Sequence, residues 1–106
     1  MDKASVLKVI DRFRTVVENK KIKIDKIILF GSYSKGNFNE GSDIDIVLIS
    51  DDFASMGYWE RIDFLTDAIY EVYEPIEAFL FTPGEWEKND SFLVDYAREG
   101  EIVFAA

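Results

Sequence analysis

The chain has 106 residues and a mass of 12.2 kDa, which is room for one hydrophobic core and not for two. Hydrophobic residues make up 48% and aromatics 15%, enough for a folded core, while 21 acids against 12 bases give a net charge of −9 that disfavours stand-alone binding to a phosphate backbone. Histidine and cysteine are both absent, which excludes an imidazole base, a thiolate nucleophile, a disulfide and a His- or Cys-ligated metal site, so any catalysis falls to carboxylates, hydroxyls, lysines and a hard cation.

In chain order, Val6, Val9, Ile10, Phe13, Val16 and Val17 recur at helical spacing, which predicts a first helix over about residues 3–20. Its charges interrupt any apolar h-region, so no secretory signal is expected, and no later run reaches the roughly 20 apolar residues of a membrane span. A soluble, cytoplasmic protein is the expectation. Residues 1–26 carry a balance of +4 and residues 27–106 one of −13. The basic segment reads either as a nucleic-acid arm or as the solvated face of a helix, and its interleaved acids favour the helix.

Ile27 to Phe30 is a short apolar run stopped by Gly31, the pattern of a buried strand. Asn37 to Ser42 is loop chemistry, and Asp43 to Ile49 reads as a second strand. Trp59, Ile62, Leu65, Ile69 and Val72 describe a second long helix, which Pro75 is expected to end. Ile76 to Phe81 reads as a third strand. Thr82-Pro83-Gly84-Glu85 has the spacing of a capping box with proline at the first helical position, so a short helix follows. Phe92 to Arg98 is predicted as another helix, closed by Gly100 as a left-handed cap, and Ile102 to Phe104 as a last strand. The fold class is α/β (α+β): a single small domain with a short mixed sheet flanked by helices.

Chemistry gathers between Phe30 and Asp45, with one addition at Glu77. On a strand Asp43 and Asp45 share a face. Two carboxylates about 4 Å apart at an effective dielectric near 20 repel by roughly 4 kcal/mol, which a magnesium-type ion relieves. Taken alone, the pair could equally mark a solvated strand end. Glu77, set between Ile76 and Ala78 as Asp45 is between Ile44 and Ile46, can complete a three-acid cluster if the strands are neighbours. Otherwise it is an edge residue facing water. Gly31-Ser32 allows a sharp turn into a short helix whose Ser32 hydroxyl and first free N–H groups suit a phosphate, with Lys35 adding charge, although a bare Gly-Ser is also an ordinary turn. A Walker A loop is excluded because Asn37-Phe38 replaces its Lys-Ser/Thr pair, and a calcium loop because Val47 and Ile49 occupy ligand positions.

The run Gly31-Ser32-Tyr33-Ser34-Lys35-Gly36, followed by Gly41-Ser42-Asp43-Ile44-Asp45-Ile46-Val47, resembles the minimal nucleotidyltransferase (MNT) family of the DNA polymerase β-like nucleotidyltransferase superfamily. The resemblance extends over residues 1–106 and implies one minimal nucleotidyltransferase domain. It implies that Gly31, Ser32, Lys35, Gly36 and Ser42 bind a nucleoside triphosphate. Asp43 and Asp45 would hold two Mg²⁺ ions, and Glu77 would help hold one and activate the attacking hydroxyl. The chain departs from the family pattern at Ser34-Lys35, where Ala-Arg is common, and at Glu77, where Asp is frequent. Lysine keeps the charge without arginine's planar fork.

The resemblance further implies transfer of a nucleoside monophosphate, AMP from ATP, to a hydroxyl. The acceptor it implies is a tyrosine of a HEPN-domain toxin, silenced in a toxin–antitoxin pair. No domain for gripping a primer or an antibiotic is expected, and the charge argues against direct nucleic-acid binding. Two alternatives stand beside it. One is a non-catalytic antitoxin that masks its partner through Tyr58, Trp59, Tyr73, Trp86 and Tyr96, at least half of which are expected in the core. The other is a small-molecule, antibiotic-type nucleotidyltransferase, for which a homo-oligomer would have to build the substrate site.

Overall fold

A strand with no polar alternation has to bury both faces, and the two central strands are of this kind. The computed structural model describes all 106 residues. Its elements are α1 (Lys3–Asn19), β1 (Lys26–Phe30), α2 (Ser32–Lys35), β2 (Ile44–Ile49), a 3₁₀ turn (Asp51–Ser55), α3 (Tyr58–Val72), β3 (Ile76–Phe81), α4 (Pro83–Lys88), α5 (Phe92–Arg98) and β4 (Glu101–Ala105). The sheet order is β3-β2-β1-β4. β1 runs antiparallel to both of its neighbours, whereas β2 and β3 are parallel and joined through α3. No helix is long and apolar enough to cross a membrane.

Ile27, Leu29, Ile44, Ile46, Leu48, Ile76 and Leu80 point to one face, where Val6, Ile10, Phe13 and Val17 of α1 and Ala68 and Val72 of α3 close a core. Ile28, Phe30, Val47 and Ile49 point to the other, under Trp86 of α4 and Val94 and Ala97 of α5. Arg61 of α3 ties that helix to its surroundings. Its guanidinium donates to the Phe53 carbonyl at 2.7 Å and to both Glu85 carboxylate oxygens at 2.7 and 3.1 Å. Glu85 meanwhile completes the Thr82 capping box of α4, and the Arg61 hydrogen bonds hold its carboxyl below the usual range.

Three local expectations are corrected. α3 stops at Val72 because Tyr73 adopts the left-handed conformation (φ 57°, ψ 48°) and returns its N–H to the Ile69 carbonyl, so the helix has already ended before Pro75. Gly100 is not a left-handed cap; the only positive-φ glycines are Gly31 and Gly36. It is required for closeness instead, since a Cβ there would run into the Leu29 carbonyl and the Phe30 side chain. Finally, most of the five aromatics are not core: Tyr58, Trp59 and Tyr73 are exposed, Trp86 is buried and Tyr96 is half-buried. The periodicity of α3 marks which residues face the sheet, but does not oblige the remaining positions to be polar.

Candidate active site

The β1–β2 hairpin and the β2–β3 pair together assemble the acids. Phe30, the last residue of β1, lies opposite Asp45. On the other side Asp45 lies opposite Glu77 in the parallel β2–β3 ladder. Directly opposed residues of neighbouring strands point to the same face, so Asp45 and Glu77 stand side by side on the α4/α5 face. Asp43 sits one residue outside β2, and the intervening Ile44 is fixed by donating its N–H to the Pro75 carbonyl at 2.8 Å. Ile44 itself points into the opposite core.

Gly31 turns the chain beside these acids with φ 75° and ψ −153°, a conformation confined essentially to glycine. A Cβ at this position would occupy the place of the Asp45 Oδ2 atom, so backbone and carboxylate approach each other as closely as the missing side chain allows. α2 follows, with the N–H groups of Ser34 and Lys35 returning to the Gly31 carbonyl at 3.2 and 3.0 Å. Its hold on the core is Tyr33, which is buried and stacks on Phe38 with ring centroids 4.6 Å apart. The Tyr33 hydroxyl has no hydrogen-bond partner. Gly36 closes α2 in the left-handed conformation (φ 84°), with open space where a Cβ would be.

Lys35 and Ser42 are placed differently from the acids. The Ser42 hydroxyl accepts from the Asn39 N–H at 3.0 Å, and the Asn39 side chain accepts from the Gly41 N–H at 2.9 Å, so Ser42 shapes its own loop. Lys35 makes no salt bridge with any of the three acids. Its Nζ lies 4.4 Å from the centroid of the Tyr96 ring, a cation–π contact between α2 and α5. Tyr96 also meets Phe30 edge-on at 5.7 Å. Nothing in the motif region announces this contact, because Tyr96 is 61 positions beyond Lys35 and only the packing of α5 over β1 unites them.

Electrostatically the site is under-compensated. Asp43, Asp45 and Glu77 take part in none of the six salt bridges of the chain. Burial, together with the charges of Glu77 and Asp43, pushes the Asp45 carboxyl up to about 6. Since this lies above the unfolded value of 3.8, the folded state holds the extra proton between about pH 4 and pH 6 and loses stability as pH rises through that window. Asp45→Asn is therefore expected to stabilise the ion-free protein by about 1–2 kcal/mol at pH 7.5, after allowance for partial solvent screening, and by much less at pH 4. Urea unfolding at the two pH values reads the difference. An equal effect at both would assign the gain to something other than charge.

The donor set suits a hard divalent cation: three carboxylates, uncompensated by basic side chains, beside a turn with no Cβ. The three groups do not form a ready-made ion cage as they stand.

The sequence and the fold have counterparts. The profile of the family described as nucleotidyltransferase domain matches residues 10–101. The chain belongs to that family. A Methanocaldococcus jannaschii protein bearing the name "Putative protein adenylyltransferase" is 34% identical over 101 residues, covering 92% of this chain and 96% of that protein. The nucleotidyltransferase domain also superposes on the structure of a Sulfolobus solfataricus protein bearing the name "putative nucleotidyltransferase", with a TM-score of 0.73 at 17% identity, covering 97% of this chain and 83% of the other. A Shewanella oneidensis complex of a tri-AMPylated HEPN toxin with an MNT antitoxin contains a chain of the same fold. Its TM-score is 0.58 at 19% identity, covering all of this chain and 74% of that one. The small α+β fold with a four-stranded mixed sheet is therefore that of the nucleotidyltransferases.

Proposed function

We propose that residues 1–106 work as one minimal nucleotidyltransferase domain in the cytoplasm, moving AMP from ATP to a tyrosine hydroxyl of a HEPN-type toxin and thereby silencing it. The observation that carries this reading is the pairing of Asp45 with Glu77 beside the Gly31 turn in a chain of the nucleotidyltransferase family. The protein acceptor is supported by the name of the Methanocaldococcus relative and by the AMPylated toxin of the Shewanella complex.

In this reading Gly31, Ser32 and Gly36 let the backbone approach the triphosphate, Lys35 supplies the one nearby positive charge, and Ser42 holds the loop that leads into Asp43. Asp43, Asp45 and Glu77 would hold Mg²⁺, two ions in the full site, which when bound neutralise the triphosphate and lower the pKa of the attacking hydroxyl. The acceptor oxygen forms a bond to the α-phosphorus as the bond from that phosphorus to the β-phosphate bridging oxygen breaks. Pyrophosphate leaves, and Glu77 receives the hydroxyl proton. Positioning and charge stabilisation supply most of the rate in such transfers, which is why no imidazole is needed.

A masking role without catalysis is the second reading. It is favoured by the exposure of Tyr58 and Trp59 at the start of α3 and of Tyr70 and Tyr73 at its end, at 72, 72, 76 and 83%. Intact-mass analysis after mixing the protein with a HEPN partner, ATP and Mg²⁺ separates the two. The partner is expected to gain one or more AMP units. A partner neutralised with its mass unchanged would give the case to masking.

A further inference from the structure

We propose that the Phe92–Tyr96 face of α5 is the stacking surface for the nucleobase of the bound nucleotide. This deepens the nucleotidyltransferase reading above and rests on it.

Phe92 and Tyr96 are four apart on one flank of α5, with ring centroids 6.4 Å apart and planes 20° from parallel. Tyr96 fixes where that flank looks. Its ring touches Phe30, the residue opposite Asp45, and carries the Lys35 ammonium. The other flank carries Arg98, which lies over the Trp86 ring at 4.8 Å and shares a hollow with Lys26 at the far end of β1. Tyr96 thus sits beside the carboxylate end of β1 with Phe92 stacked next to it, while Arg98 faces Lys26 and Trp86.

The one aromatic partner of the Phe92 ring is Tyr96. Phe92 is 87% exposed, the highest value among the large hydrophobic residues that reach the surface, and it belongs to neither core cluster. The chemistry of the site gives it a use. A nucleoside triphosphate approaching a chain of net charge −9 meets three acids and the ammonium of Lys35. Uncharged contact area is what such a ligand needs, and an aromatic ring offers it to the π-face of a base. Base-on-aromatic stacking is sequence-tolerant and is typically worth about ten-fold or more in affinity per base.

The test compares two ligands that differ in the base. Binding of ATP and of inorganic tripolyphosphate, each with Mg²⁺, is measured by calorimetry on the wild type and on Phe92→Ala. Because the side chain is solvent-exposed, the substitution should leave the fold intact. ATP affinity is expected to fall about ten-fold or more while tripolyphosphate affinity holds, and Phe92→Trp should restore ATP binding. Unchanged ATP affinity, or an equal loss for both ligands, would overturn the proposal. So would unchanged ATP affinity with impaired transfer to a protein acceptor, which would assign the ring to acceptor docking. A wild-type protein that binds neither ligand would instead sink the nucleotidyltransferase reading itself.

Discussion

Asp43→Asn/Asp45→Asn is expected to fold and to lose nucleotidyl transfer by at least about 1,000-fold, since ion-borne charge stabilisation in such reactions is worth several kcal/mol and each 1.36 kcal/mol is a factor of ten. Amide oxygens hold Mg²⁺ far more weakly than carboxylates, and Glu77 alone cannot replace two charges. Folding should survive because Asp43 is exposed and Asp45 only partly buried, with neither engaged in a salt bridge. The removed groups also repel each other and Glu77. The same intact-mass assay reads the result: AMP addition to the partner with wild type and none with the double variant. Full activity in the double variant would show the ion to be held elsewhere. An unfolded double variant would show the acids to be structural.

Gly31→Ala carries the second large effect. The new methyl would meet the Asp45 carboxylate, and the φ of 75° with ψ of −153° is strained for any residue with a Cβ. Stability is expected to drop by about 2–4 kcal/mol, combining backbone strain with the displacement of Asp45. Transfer activity should fall with it. Gly36→Ala is the internal comparison, because Gly36 has φ 84° but open space around it and so loses only about 1 kcal/mol of backbone freedom. Denaturant midpoints for the two variants should therefore separate clearly. If they coincide, close approach to Asp45 is not what selects glycine at position 31.

The elements that position the acids were legible because their signals are local. An apolar run stopped by Gly31, an Asp-x-Asp opening a second apolar run, and Glu77 set inside a third fix strand identities without any knowledge of pairing. The helix that links β2 to β3 was legible too, from its apolar repeat. What could not be read is whatever depends on distant segments meeting. The turn of Tyr73 into the left-handed region is one example, since Pro75 offered a plausible stop two residues later. Gly100 is another: its requirement comes from the Leu29 carbonyl, which lies close only because β4 pairs with β1. The parking of Lys35 on Tyr96 is a third, and it bears on the site itself. Composition misled in one place. Aromatic residues in a small domain are expected inside, yet α3 leaves Tyr58, Trp59, Tyr70 and Tyr73 in solvent.

The parallel joint between β2 and β3 has a consequence for the order in which activity can arise. Gly31 and Asp45 are brought together by the β1–β2 pairing, whose connection is the 13 residues 31–43 that carry α2. Glu77 joins Asp45 across 32 positions of chain, through a crossover that carries α3 on the opposite face. The chain up to Val72 contains Gly31, Asp43 and Asp45 but not Glu77. The third acid therefore reaches Asp45 only when β3 pairs with β2, a contact less local than the β1–β2 pairing and more local than that of β1 with β4.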